Sequence, residues 1–152
     1  MIIDCRCRPP TPEFQAVFKG RALGHIISRS YRYPNPPSYD QDSLDLFFQE
    51  MDATGITTAV AVGRVLPIGA VENDHIADLS GTFPSRIVGI GGIDTTSQIH
   101  NPLEEVERCI NQLGMKGVIL EPGAGAQPVP YDDPSLVPIY DLCSQLQIPV
   151  FL

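Results

Sequence analysis

Apolar, β-prone runs alternate with amphipathic helical segments along this chain, and that alternation restricts its fold more than any other feature. The runs are Met1 to Cys5, Thr57 to Val62, Arg86 to Asp94, Gly117 to Leu120 and Ile148 to Leu152. Helical spacing fills the gaps after the second, third and fourth. Ile76 and Leu79 share the inner face of a segment from Glu72 to Thr82, and Leu103, Val106, Ile110 and Leu113 recur at the helical period between Asn101-Pro102 and Gly114. Asp133-Pro134 opens the next segment, through Val137, Tyr140, Leu142 and Leu146. Before the second run, Ser43 caps a helix with Leu44, Phe47, Phe48 and Met51 on one stripe and Gly55 at its end. Strand and helix in alternation imply parallel strands joined by right-handed crossovers, an α/β fold.

Two architectures satisfy that order. One is a five-stranded doubly wound parallel sheet; the other is a (β/α)8 barrel of which the first five strands and four helices are present. A doubly wound sheet places a glycine-rich phosphate loop after its first strand, and no such loop follows Cys5. Charged residues instead stand at the C-terminal ends of several runs: Arg6 and Arg8, Arg64, Asp94 and Glu121. Convergence of strand ends on one site is what a barrel enzyme requires, so the barrel is the preferred fold.

The first run ends in Asp4-Cys5-Arg6-Cys7-Arg8 before a proline pair. Strand alternation puts Asp4, Arg6 and Arg8 on one face and both cysteines on the other, where buried, reduced thiols are expected. Two forked cations at a strand end suit a carboxylate or phosphate through charge-assisted pairs, and structural pairing with Asp4, Glu121 or Asp94 is the competing role. Arg64 is grouped with them as substrate-binding. Glu121 is the leading acid-base candidate, with Asp94 second; each also has a plain structural role open to it, Glu121 as an arginine's partner and Asp94 as a loop cap. His25, His75 and His100 show no ligand spacing and are expected to face solvent.

About residues 9–42 hold Pro34, Pro36 and Pro37 and exceed the usual connection, so they read as a lid-like insertion with a short helical middle around Phe14, Val17 and Phe18. A loop with Pro67 and Gly69 is expected after the second run. The 152 residues carry a net charge of −8 with no basic run, which argues against nucleic acid. No apolar stretch approaches the roughly 20 residues of a membrane helix, and no secretory pattern opens the chain, so a cytoplasmic protein is expected.

Ile2-Ile3-Asp4, Gly55-Ile56, Phe83-Pro84-Ser85-Arg86-Ile87-Val88-Gly89, Gly114-Met115-Lys116-Gly117-Val118-Ile119-Leu120 and Ile148-Pro149-Val150 resemble the amidohydrolase-related metal-dependent hydrolases of TIM-barrel fold. That group also looks close to the aminocarboxymuconate-semialdehyde-type decarboxylases. The resemblance runs through residues 1–8 and 43–152 and makes the chain the N-terminal part of one barrel domain. It implies a hydrolase, with a decarboxylase as runner-up, acting on a small carboxylated compound. A non-catalytic anion-binding or scaffold protein on the same fold is the alternative.

The resemblance also implies a divalent metal, zinc or manganese. The family's first strand ends in His-x-His, however, and Arg6 and Arg8 hold those positions here. A guanidinium has no lone pair to offer a metal, so no metal ligand is assigned and the cofactor stays unknown. The family's next histidine would come just after Leu152. Open strand edges in a part-built barrel would pair with another copy, which makes a homo-oligomer the expected assembly.

Overall fold

The computed structural model describes residues 1–19, 34–66, 69–95, 101–125 and 127–152. In chain order its strands are β1 (Ile2–Cys7), β2 (Ile56–Val62), β3 (Arg64–Leu66), β4 (Gly69–Val71), β5 (Ile87–Ile93), β6 (Val118–Leu120) and β7 (Val150–Phe151). Its helices are α1 (Pro12–Phe18), α2 (Pro37–Asp40), α3 (Leu44–Ala53), α4 (Asn73–Thr82), α5 (Pro102–Asn111) and α6 (Val137–Gln145). The order β1-β2-β5-β6-β7 is also the spatial order of one parallel sheet, while β3 and β4 form a separate antiparallel hairpin. A doubly wound sheet reverses direction at a switch point. Here each strand adds on the same side as the last, so the sheet is half of a (β/α) barrel.

Local chemistry explains where the helices begin and end. Ser43 Oγ accepts from the Leu46 amide at 3.2 Å and starts α3, and Asn101 Oδ1 accepts from Leu103 at 3.0 Å and starts α5. Gly55 and Gly114 take φ of 72° and 68° just beyond α3 and α5, a region where a side chain is costly. The sheet separates two apolar clusters. Its helix side buries Ile76, Val106, Leu120 and Ile139 with α3 to α6, and its inner side buries Val60, Val62, Ile90 and Ile119.

Three expectations change. β1 is an edge strand bonded to β2 alone among the described strands, and its Ile2 and Ile3 stay 53% and 44% exposed; a register shift between Asp4 and Cys7 breaks the expected alternation, so Cys5 is exposed while Cys7 is buried. The loop expected around Pro67 is instead the β3–β4 hairpin, whose residues 67–68 lie outside the described residues. Of the lid-like insertion, residues 20–33 lie outside the described residues, as do His25 and His100. Its described start is α1, which buries Phe14 and Val17. No helix of the described residues is long and apolar enough to cross a membrane.

The hairpin exists because β2 leaves the sheet at Gly63, and the gap beside β5 is closed by a side chain. Gly63 still donates to Ile90 O at 2.8 Å. At the next register position the buried Asn73 carboxamide takes over: its Nδ2 donates to Gly92 O at 2.9 Å, and its Oδ1 accepts from Gly92 N at 2.7 Å. The same Nδ2 donates to Glu105 Oε1 at 2.7 Å. Backbone groups left unpaired by the departing strand are thereby satisfied.

Close backbone approach is the condition for this arrangement. A Cβ on Gly92 would sit 2.7 Å from both Arg64 N and Gly63 C, so even alanine forces the two segments apart. Gly92→Ala is expected to destabilise the protein by about 2–3 kcal/mol. Gly81→Ala, within α4 with nothing inside 4 Å, should instead gain about 0.5–1 kcal/mol. Urea midpoints of the two variants at unchanged m-value check both signs.

Candidate functional site

The site is built where β1 and β6 end and β3 begins. Arg6 near the end of β1 reaches Glu121, the residue just after β6, with Nη2 donating to Oε1 at 2.9 Å. The other carboxylate oxygen lies 3.6 Å from Arg64 Nε, at the start of β3. That distance is too long for a hydrogen bond, and Arg64 Nε, on a side chain only 11% exposed, has no hydrogen-bond partner among the described residues. Glu121 is fixed by the turn that follows it: its carbonyl accepts from Ala124 N at 3.0 Å, and Pro122 behind it is buried. Asp4 takes no part, because its Oδ1 accepts from the Arg6 amide at 3.2 Å.

Arg8 completes the cluster. Its guanidinium carbon lies 4.0 Å from the centroid of Phe18 in α1, and that of Arg64 lies 5.3 Å from the same ring. No described residue accepts a hydrogen bond from Arg8. Lost solvation pushes its pKa below the ordinary guanidinium value, the Arg64 and Arg6 charges push it the same way, and Glu121 opposes them. Arg6 and Arg64 thus approach one carboxylate with Arg8 beside them, and about 10 Å³ remains among these side chains, the room of roughly one water.

Asp94 stands apart from this cluster. It follows β5 and lines a larger cavity, about 440 Å³, with Glu72, Asn73, Glu105 and Arg108. There carboxylates outnumber the one lining cation, Arg108. Arg108 forks onto Asp74 through two bonds of 3.1 Å and onto Glu105 at 2.8 and 2.9 Å, which holds both carboxyls below the usual carboxylate range.

Other predicted groups resolve simply. Cys7, on the covered face of β1, donates to Val60 O at 3.2 Å, and burial pushes its thiol up to about 12. His75 does not simply face solvent: its Nε2 lies 2.9 Å from Thr11 Oγ1 and 3.2 Å from Glu13 Oε2, tying α4 to α1. Asn73 is not singled out by pattern, and Phe18 only as part of the short helical middle of the insertion. The available signals were an amide at a helix start beside a glycine-rich strand, and an aromatic within reach of arginines.

The donor chemistry at these strand ends does not suit a divalent metal. Arg6 and Arg8, in and just after β1, carry guanidiniums, and among the described residues the one carboxylate paired with either, Glu121, already accepts from Arg6. Among the described residues, no three His, Cys, Asp or Glu side chains group in a way that could hold an ion. The arrangement is suited to binding an anion and to moving a proton at Glu121.

Comparison with known proteins follows the same lines. The amidohydrolase family model matches residues 3–152. Over 80 residues the chain is 35% identical to 2-amino-3-carboxymuconate-6-semialdehyde decarboxylase of Dictyostelium discoideum, covering 53% of this chain and 21% of that protein. Over 130 residues it is 27% identical to gamma-resorcylate decarboxylase of a Rhizobium species, covering 73% of this chain and 38% of that one. Among solved structures, a TIM-barrel protein of Bordetella bronchiseptica superposes with a TM-score of 0.83 at 32% identity, over 98% of this chain and 53% of its own. The chain therefore spans about half of that structure and less of the two decarboxylases.

The contrast between the two β1 cysteines gives a direct check on how this strand end sits. Native protein treated with iodoacetamide near pH 8 should be alkylated at the exposed Cys5 and spared at Cys7, whose thiol ionises only near 12. Peptide mass spectrometry reads both positions, and equal labelling would contradict the burial of Cys7.

Proposed function

Because the chain belongs to the amidohydrolase family, we propose that it forms the N-terminal part of a TIM-barrel enzyme acting on a small carboxylated compound. The observation that carries this reading is the gathering of Arg6, Arg8 and Arg64 around one small space in whose lining Glu121 is the single carboxylate. Arg6, at 44% side-chain exposure, and the exposed Arg8 form the open side of the cluster, where a ligand carboxylate would enter. Charge-assisted, two-point bonding of a guanidinium to a carboxylate supplies both affinity and orientation.

Decarboxylation is the favoured reaction, since both named relatives carry that activity in their names. In that reaction the carbon to carboxylate bond breaks, carbon dioxide leaves, and the carbon keeps the electron pair until it is protonated. Glu121 is assigned that proton transfer, supplying a proton drawn from solvent. In hydrolysis, the other reaction of the superfamily, the same carboxylate would take a proton from water. Asp94 is kept as a second acid-base group only for a ligand long enough to extend into the neighbouring cavity. No step is routed through a metal, since the side chains at these strand ends do not form a donor set for one.

The test is turnover of the full chain with a panel of carboxylated aromatics, following released carbon dioxide, alongside lactones and esters for hydrolysis. Arg6→Ala should lower kcat/KM by about 10- to 100-fold, the worth of a charge-assisted bond. Undiminished turnover in that variant would refute the arginine role. Anion binding without turnover of any panel member would favour a non-catalytic binding protein on this fold.

A further inference from the structure

The cluster raises a question that its hydrogen bonds do not answer: what keeps Arg8 and Arg64 together. Each carries a positive charge, Glu121 lies 3.6 Å from Arg64 Nε, and no described residue accepts a hydrogen bond from Arg8. Left to electrostatics alone, an exposed arginine in this position would turn away into water. The common neighbour of both side chains is an aromatic ring, that of Phe18.

We propose that Phe18 is a positioning residue of the anion site, its ring within cation–π reach of the guanidiniums of Arg8 and Arg64 so that their N–H groups stay available to a ligand carboxylate. The inference rests on the anion-binding reading above. A ring face attracts a guanidinium as a cation and takes up none of the in-plane hydrogen bonds that a carboxylate accepts. One arginine can therefore serve both partners at once. The buried Arg64 Nε, which has no hydrogen-bond partner among the described residues, is a donor left over for that purpose.

The ring is itself held by what lies around it. Phe14, buried one turn earlier in α1, stacks on Phe18 with centroids 6.3 Å apart and planes at 22°. Val17 packs against the hairpin so closely that a Cβ on Gly69 would lie 3.2 Å from its methyl carbons. That hairpin carries Arg64 on its other strand, so one short helix fixes both the ring and the element bearing the arginine. Thr11 and Glu13 anchor the start of α1 to His75.

A competing role is available from the same geometry, since the ring helps enclose the 10 Å³ space and could act as a plug. Calorimetry of benzoate and isophthalate binding to the full chain separates the two. Phe18→Leu keeps most of the volume and loses the π face, so a positioning role predicts dissociation constants raised about five- to tenfold. Phe18→Tyr keeps the face and should stay within about twofold of the parent. A leucine variant that binds as well as the parent, or tighter as a removed plug would, overturns the proposal. If the parent binds and Arg6→Ala weakens it while the Phe18 series stays flat, positioning fails and the anion reading survives. If the parent binds neither anion, both fall.

Discussion

The carboxamide of Asn73, bonded to both backbone groups of Gly92, is the interaction through which the sheet and the site depend on each other. A parallel strand that ends early leaves its neighbour with unpaired amides and carbonyls, each costing about 1–3 kcal/mol when buried. Asn73 supplies a donor and an acceptor at the spacing a strand would, so β2 is free to turn away at Gly63. That freedom creates the hairpin, and the hairpin brings Arg64 toward Glu121 and gives α1 a surface to pack on. Without a side chain closing β5 at this point, Arg64 would have to continue β2 instead.

Two arginine clusters in the same half barrel show opposite charge logic. Around Arg108 one guanidinium faces the carboxylates of Asp74 and Glu105 and is saturated with hydrogen bonds, an arrangement that ties α4 to α5. Around Glu121 the excess is of cations: Arg6 bonds it, Arg64 Nε lies 3.6 Å away and Arg8 lines the same small space. The first is a fastening. The second is less so, since the bonded Arg6 is partly exposed and the surplus cations repel one another. Excess positive charge beside an exposed entrance is the property expected of a place that receives an anion, and it is this asymmetry that separates the two clusters functionally.

Much of the fold could be read from residue order alone. Ser43, Gly55, Asn101 and Gly114 mark helix ends through local chemistry, and the β-prone runs mark the strands. The placing of Arg6 and Glu121 at one end of the sheet was legible for the same reason, because parallel strands in chain order put their C-terminal ends on one side, whereas Arg64 reaches Glu121 from the hairpin. The hairpin was not, since strands of three residues carry too little periodicity to register. Cys5 is exposed although Cys7 is buried because the register of β1 slips between Asp4 and Cys7, an irregularity that residue spacing does not show. Asp94 also sits at a strand end, yet it lines the cavity between α4 and α5, because the last residues of β5 pack against Asn73. Which way a chain turns after its strand is decided by such tertiary contacts, which spacing does not encode.

The pair Arg6 and Arg8 bears on chemistry through what a guanidinium can and cannot do. Imidazoles at those positions would give lone pairs to a cation; guanidiniums offer N–H donors to an anion, so on the proposed reading the sign of the preferred guest at this strand end is inverted. That reading has a structural corollary. A cation held by histidines needs carboxylates near it, and those carboxylates then need nothing else; an anion held by arginines needs cations kept close in the absence of the guest. Glu121 on one side and the Phe18 ring on the other meet that second requirement, one by charge and one by its π face. Both are placed by elements that the barrel's strand order brings to the same end, so the change in guest requires no change in fold.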